Sequence, residues 1–159
     1  MVNISSVGGK IAMATYGPYA GTKFALEAVS DSLRRELAPS GVSVVVIEPG
    51  GVRTEMPGRA IESAHKLASA MTPDQRQRYG GLVHAITAQT AAFTRSGLSA
   101  DAAAKVIAQA VTARKPRTRY TIGRDAALLT LLARVLPDRV LDRVFAAALR
   151  PYLPDADAG

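Results

Sequence analysis

The fold is decided by Val42-Ser43-Val44-Val45-Val46-Ile47-Glu48-Pro49-Gly50-Gly51. Val42 to Ile47 is an almost unbroken apolar, β-branched run, the mark of a strand covered on both faces. It stops at Glu48-Pro49-Gly50-Gly51. Just upstream, Pro39 and Gly41 close a helical stretch from about Tyr16 to Leu37, with Pro18 in its first turn. Tyr19, Leu26, Val29, Leu33 and Leu37 recur at helical spacing and are expected to face the core, with Glu27, Asp31, Arg34 and Arg35 on the other side. Further upstream, Val2-Asn3-Ile4-Ser5 reads as a short buried strand, followed by a turn at Gly8-Gly9. Strand, helix and strand with short connections form a βαβ unit, hence a parallel sheet with a right-handed crossover.

Downstream, Arg53 to Gly97 is helical in propensity but broken by Pro57-Gly58, Pro73 and Gly80-Gly81. It reads as a few short helices in an insertion. Ser99 is an expected N-cap, with Asp101 in the first turn of a helix through Ala113. Arg119 to Ile122 forms a third short strand closed by Gly123. The tail from Ala126 to Leu149 reads as two leucine- and arginine-rich helices split at Pro137. The expected organisation is a single partial domain over 1–159. Its parts are a strand-helix-strand with its loop (1–56), an insertion (57–98), a helix and last strand (99–123) and C-terminal helices (124–159).

At 159 residues, 48% hydrophobic and 21% charged, the chain is a globular domain rather than a disordered one. With no cysteine and only two histidines, His65 and His84, no metal site is expected. The N-terminus lacks a signal-peptide pattern and no apolar run reaches the ~20 residues of a spanning helix. A cytoplasmic location is the expectation. The net charge of +7 is scattered through the helices rather than gathered in a run, so nucleic acid is not an expected partner. A start one residue before a core strand reads as a truncated or misassigned beginning.

Tyr19 and Lys23 stand four residues apart and project from one helix face. A phenol ionises near pH 10, too high for acid–base work at neutral pH, and a neighbouring ammonium favours the phenolate. About 0.15 such pairs are expected by chance in this composition, so the pair needs context. Ser6 at the carboxyl end of the first strand and Pro49-Gly50 at the carboxyl end of the next supply it. Ligands of open α/β sheets sit outside those strand ends.

Asn3-Ile4-Ser5-Ser6, Tyr19-Ala20-Gly21-Thr22-Lys23 and Pro49-Gly50-Gly51-Val52-Arg53-Thr54 resemble the active-site strand, YxxxK helix and PG-loop of short-chain dehydrogenases/reductases. The serine-to-tyrosine spacing is similar too. The texture is closest to hydroxysteroid- and retinol-dehydrogenase-like members. The resemblance implies the C-terminal part of a Rossmann-like, doubly wound parallel α/β sheet, with about three parallel strands and flanking helices. It also implies hydride transfer between NAD or NADP and a small apolar alcohol or carbonyl. Tyr19 is then the acid–base group and Ser6 the hydrogen-bond partner of the substrate oxygen. Lys23 supports Tyr19 and binds the nicotinamide ribose, and Pro49, Gly50, Val52 and Thr54 line the nicotinamide. Ser5, one residue off the spacing, is the alternative serine and reads as structural. Tyr16 reads as pocket lining or packing, and Arg53 as an exposed loop residue within reach of a cofactor phosphate.

The glycine-rich turn that grips a pyrophosphate is missing, because Gly8-Gly9 leads to Tyr19 without the required spacing. In the family that turn, the residue choosing NAD or NADP and a relay asparagine lie upstream. The chain is therefore expected to lack the N-terminal dinucleotide-binding half and to be inactive alone, its first strand becoming an exposed edge. The complete enzyme is expected to be a homo-oligomer. Two other readings stay open: a non-catalytic remnant serving as an interaction module, and a protein of the membrane surface. For the second, the basic tail carries Arg134, Arg139, Arg143 and Arg150 beside apolar stripes. Covering a substrate pocket or a partner is the preferred use of that tail.

Overall fold

The computed structural model describes residues 1–154. Its elements, in order, are β1 (Val2–Ile4), α1 (Gly17–Leu37), β2 (Val45–Pro49), β3 (Val52–Arg53), α2 (Met56–Ser69), α3 (Pro73–Ser96), β4 (Leu98–Ser99), α4 (Ala100–Thr112), β5 (Arg119–Ile122), α5 (Arg124–Val135) and α6 (Asp138–Leu149). They fall into two compact units, one of Met1–Val52 with Gly97–Leu136, the other of Arg53–Ser96 with the chain from Pro137 onward. Residues 155–159 of the expected C-terminal segment lie outside the described residues.

The first unit is built on a parallel sheet of order β1-β2-β5. Val2 pairs with Val45, Ile4 with Ile47, Val46 with Arg119 and Pro49 with Ile122. The apolar run is thus the central strand, and Val44 to Ile47 are buried, as its unbroken hydrophobicity requires. The strand begins later than the run, since Val42 is exposed. β1 is at the sheet edge, and Ile4 is 44% exposed.

Strand side chains alternate between faces, and here the two faces differ in chemistry. Val45, Ile47 and Ile122 join Ala103 and Ala110 of α4 in the apolar core, with Val2, Val106, Ile107 and Tyr120 packed around them. Each fully buried Val or Ile contributes about 1.5–3 kcal/mol, so this face supplies most of the adhesion. Asn3, Glu48, Arg119 and Thr121 serve the opposite face, where α1 lies. Asn3 Nδ2 donates to Ser30 Oγ at 2.8 Å, and Thr121 Oγ1 to Glu48 Oε2 at 3.0 Å.

That polar face overturns the expected orientation of α1. The residues it buries are Ala20, Glu27 and Ser30, whereas Val29 is 54% and Phe24 45% exposed. Glu27, assigned to solvent by its charge, is only 6% exposed. Lys10 Nζ reaches its Oε2 at 2.7 Å, and Arg119 reaches the same oxygen at 3.1 Å. Arg119 Nε also meets Glu48 Oε1 at 3.0 Å, and its terminal nitrogen meets Asp31 Oδ1 at 2.9 Å. The helix turns its charged side inward because the sheet offers charge there.

Ser99 caps α4, its hydroxyl accepting from the Ala102 N–H at 3.2 Å. In the second unit the expected short helices are two longer ones, and α3 runs straight through Gly80-Gly81. Glycines in a helix interior cost about 1 kcal/mol each relative to alanine. Gly81 faces Pro154, where a Cβ would meet the proline Cγ in ordinary contact at 3.4 Å. Gln89 Nε2 donates to the Ala148 carbonyl at 3.0 Å, tying α3 to α6. Pro137 splits the tail where the sequence placed the break, with its φ of −62° preceding α6. Among the described residues, no helix is long and apolar enough to cross a membrane.

Candidate active site

β1 stops at Ile4, but the chain stays extended, and the Ser5 N–H donates to the Ile47 carbonyl at 2.7 Å. Ser6 keeps that conformation, with φ −168° and ψ 164°. Its Oγ accepts from the Gly8 N–H at 3.1 Å and makes a long 3.4 Å contact to the Pro49 carbonyl. The serine therefore bridges the carboxyl ends of β1 and β2. Ser5 is 3% exposed, and its hydroxyl, with no hydrogen-bond partner among the described residues, packs under Gly9. Of the two serines, Ser6 is the one beside Tyr19.

The turn at Val7–Gly9 fits against α1. A Cβ on Gly8 would stand 2.9 Å from Tyr19 Cε1 and 3.6 Å from Ser6 Oγ, so the tyrosine ring and the serine hydroxyl flank one point. Tyr19 is half-buried, and its hydroxyl makes no hydrogen bond among the described residues. Lys23 lies one turn on, with Nζ 5.8 Å from the Tyr19 ring centroid and donating to the Ile4 carbonyl at 3.0 Å. That single bond fixes the ammonium at the end of β1 and leaves two N–H donors. Tyr16, before the helix, meets Tyr19 edge-on, with centroids 6.1 Å apart at 85°.

The Pro49-Gly50-Gly51 loop leaves β2 beside this group. The Gly50 N–H donates to the Ile122 carbonyl at 2.9 Å, and the Gly51 N–H to Asp125 Oδ2 at 3.1 Å. Val52 packs against the apolar core. The first unit therefore gathers Ser6, Tyr19, Lys23, Pro49, Gly50 and Val52. Thr54 belongs to the second unit, exposed and lining a shallow cleft with Arg53, Glu55, Thr94 and Arg95. His65 and His84 are exposed on the helices of that unit. Among the described residues no three His, Cys, Asp or Glu side chains are grouped to hold a metal.

Two features escaped the sequence. One is the ionic cluster of Lys10, Glu27, Glu48 and Arg119, one turn beyond Lys23. Its signal was Glu48, a lone charge ending a strand that is otherwise apolar on both faces. Burial alone would raise the Asp31 carboxyl, but hydrogen bonds from Arg119 and then Arg34, together with their charges, hold it below the usual range. Burial would likewise lower the Arg119 guanidinium, yet the bonds it donates to Asp31 and Glu27, together with their charges, hold it above its ordinary value. The other feature is Asp125, whose reach back to the loop spans 74 positions, beyond any local pattern.

The implied cofactor can be tested against this geometry. The nicotinamide-ribose end fits: an ammonium with spare donors, an unpaired phenol and a bridging serine meet at one strand end. The diphosphate end does not fit the glycines present. Gly9 is filled by packing, since its Cβ would stand 2.8 Å from Ser5 Oγ and 3.0 Å from Glu27 Cγ. Among the described residues no glycine-rich turn joins a strand to a helix N-terminus in the manner of a phosphate cradle.

The fold is an open α/β one, a parallel sheet with flanking helices, and Ser6 and Pro49-Gly50 lie at the carboxyl ends of its strands. A family model described as short chain dehydrogenase matches residues 1–66. Mouse retinol dehydrogenase 5 is 43% identical over 149 residues, covering 91% of this chain and 46% of that protein. The NADPH-dependent 3-dehydrocapnine reductase of Ornithobacterium rhinotracheale is 34% identical over 145 residues, covering 91% and 49%. A solved short-chain dehydrogenase from Streptomyces avermitilis superposes with a TM-score of 0.57 at 26% identity, covering 94% of this chain and 48% of that one. The chain belongs to the short-chain dehydrogenase/reductase family, and it spans about half the length of the curated relatives it matches.

Proposed function

We propose that this chain carries the acid–base centre of an NAD(P)-dependent oxidoreductase that interconverts a small apolar alcohol and its carbonyl. The observation that carries the reading is the convergence of Ser6 and Tyr19 on one point beside Gly8, with Lys23 anchored a turn away. The Tyr19 hydroxyl, free of protein partners, gives a proton to the substrate oxygen during reduction and takes it back during oxidation. Ser6 donates to the same oxygen and stabilises its developing charge. It must give up its long contact with the Pro49 carbonyl to do so. Lys23 keeps its Ile4 bond and offers its remaining donors to ribose hydroxyls. When bound, the nicotinamide supplies or accepts the hydride.

Pro49, Gly50 and Val52 complete the nicotinamide side in this reading, and Thr54, named with them by the sequence resemblance, lies in the other unit. The apolar substrate class draws support from the name of retinol dehydrogenase 5, and the use of NADPH from that of the 3-dehydrocapnine reductase. NAD and NADP are equally compatible with the residues here. In this reading the diphosphate is gripped by a glycine-rich segment other than the glycines described, and this stretch is the C-terminal, substrate-side half of the sheet. Self-association belongs to the same proposal, with exposed Phe24 and Val29 of α1 as its support.

The chain alone should bind NADPH more weakly than about 1 μM, since only the ribose and ring find partners. Amide chemical-shift mapping with millimolar NADPH tests the placement. Shifts should concentrate at Ser6, Tyr19, Lys23 and residues 49–52. Shifts confined to α2 and α3, or micromolar affinity, would refute it.

A further inference from the structure

We propose that Asp125 is a positioning residue of this site, holding the nicotinamide-side loop through the backbone of Gly50 and Gly51. The role rests on the functional reading above. The Gly51 N–H donates to Asp125 Oδ2 at 3.1 Å, and Gly51 is buried, so no water replaces that acceptor without opening the loop. Gly50 is pressed against the same carboxylate. A Cβ there would stand 2.8 Å from Oδ2, 3.1 Å from Oδ1 and 2.8 Å from Ala126 Cβ. Ala126 is fully buried, so that wall cannot retreat.

An aspartate in the first turn of a helix has a commoner use, which is to cap the helix or complement its dipole. The hydrogen bonding here is different. The N-terminus of α5 receives no side-chain cap bond, and the carboxylate is turned back onto the loop. Gly123 makes that possible, because its φ of +105° swings the chain out of β5 in a conformation L side chains rarely adopt. The carboxylate also acts beyond Gly51. Pro49, at the start of the same loop, holds its carbonyl 3.4 Å from the Ser6 hydroxyl. A loop released at Gly51 would shift that carbonyl and the wall against which a nicotinamide would lie. Asp125 touches neither substrate nor ring in this arrangement; it acts through the loop.

The test compares Asp125→Ala with Asp125→Asn in the full chain, because asparagine keeps an acceptor while losing the charge. Amide hydrogen exchange is read at Gly51, with Val46 of the central strand, whose N–H donates to the Thr118 carbonyl, as internal control. Affinity is read with reduced nicotinamide mononucleotide. The alanine variant should speed Gly51 exchange about tenfold, leave Val46 within about threefold and weaken binding of the probe at least about fivefold, the scale of one lost hydrogen bond. The asparagine variant should keep both properties within about twofold. Unchanged Gly51 protection in the alanine variant, or lost protection with unchanged affinity, would overturn the proposal. If the alanine variant does not fold, the asparagine variant decides: weakened binding with intact Gly51 protection would overturn it. A wild-type chain that ignores the probe at about 10 mM refutes the functional reading itself, whereas the Gly51 exchange reports on the clamp independently.

Discussion

Two adjacent glycines do different work beside the candidate site. At Gly8 a methyl group would press on the edge of the Tyr19 ring, 2.9 Å away, and a ring can swing aside. At Gly9 it would press on Ser5 Oγ, Glu27 Cγ and the Lys23 carbonyl, the last 3.1 Å away and part of the helix backbone. Gly8→Ala should therefore cost under about 1 kcal/mol while moving the Tyr19 and Ser6 resonances, and Gly9→Ala about 1–3 kcal/mol of overpacking strain. Urea unfolding followed by circular dichroism, with chemical shifts alongside, separates the two. Equal costs would contradict the account. The sequence showed these glycines only as a turn signal. The placement of Ser6 at a strand end and of Tyr19 and Lys23 on one helix face was legible because helical spacing and strand ends are local facts. What Gly9 touches was not, because it depends on how α1 is rotated about its axis.

The rotation of α1 is the main point at which sequence and structure part. Hydrophobic periodicity assumes an apolar neighbour, and it placed Glu27 and Asp31 in water. The sheet face under α1 instead presents Glu48, Arg119 and Thr121, so the helix answers with Glu27 and Asp31. Burying such charges yields little net adhesion, and removing one partner alone is costly. The ion pairs therefore fix the alignment of α1, and with it Tyr19 and Lys23, more than they hold the fold together. Acid should expose this. The Asp31 carboxyl is held below its ordinary value, so its contribution is full above the unfolded value near pH 4 and is lost as pH falls through the folded value. Asp31→Asn should flatten the loss of stability below about pH 4 in urea midpoints measured from pH 3 to pH 7. An unchanged acid limb would contradict it. Elsewhere the elements were readable. β2, the Ser99 cap, β5 and the break at Pro137 follow from apolar runs, caps and proline. The continuity of α3 through Gly80-Gly81 did not, because adjacent glycines read locally as a break, while a tie such as Gln89 to Ala148 lies far along the chain.

The chain spans about half the length of the curated relatives it matches. The three parallel strands carry Ser6 and Pro49-Gly50 to their carboxyl ends, while the helix between them brings Tyr19 and Lys23 to the same side. Family membership was readable from three short motifs because each is confined to a few residues. The substrate was not, because no local motif in the sequence marks the side chains that select it, and Met56, an apolar candidate, is 61% exposed. The most direct measurement is turnover of an apolar alcohol under saturating NAD(P) by the native polypeptide that carries this chain, compared with its Tyr19→Phe variant. The phenylalanine keeps the ring against Gly8 and removes only the hydroxyl, so cofactor affinity should stay within about threefold while turnover falls about 10²–10⁴-fold. A variant that retains more than about a tenth of the wild-type rate would contradict the assignment of Tyr19 and the account built on it.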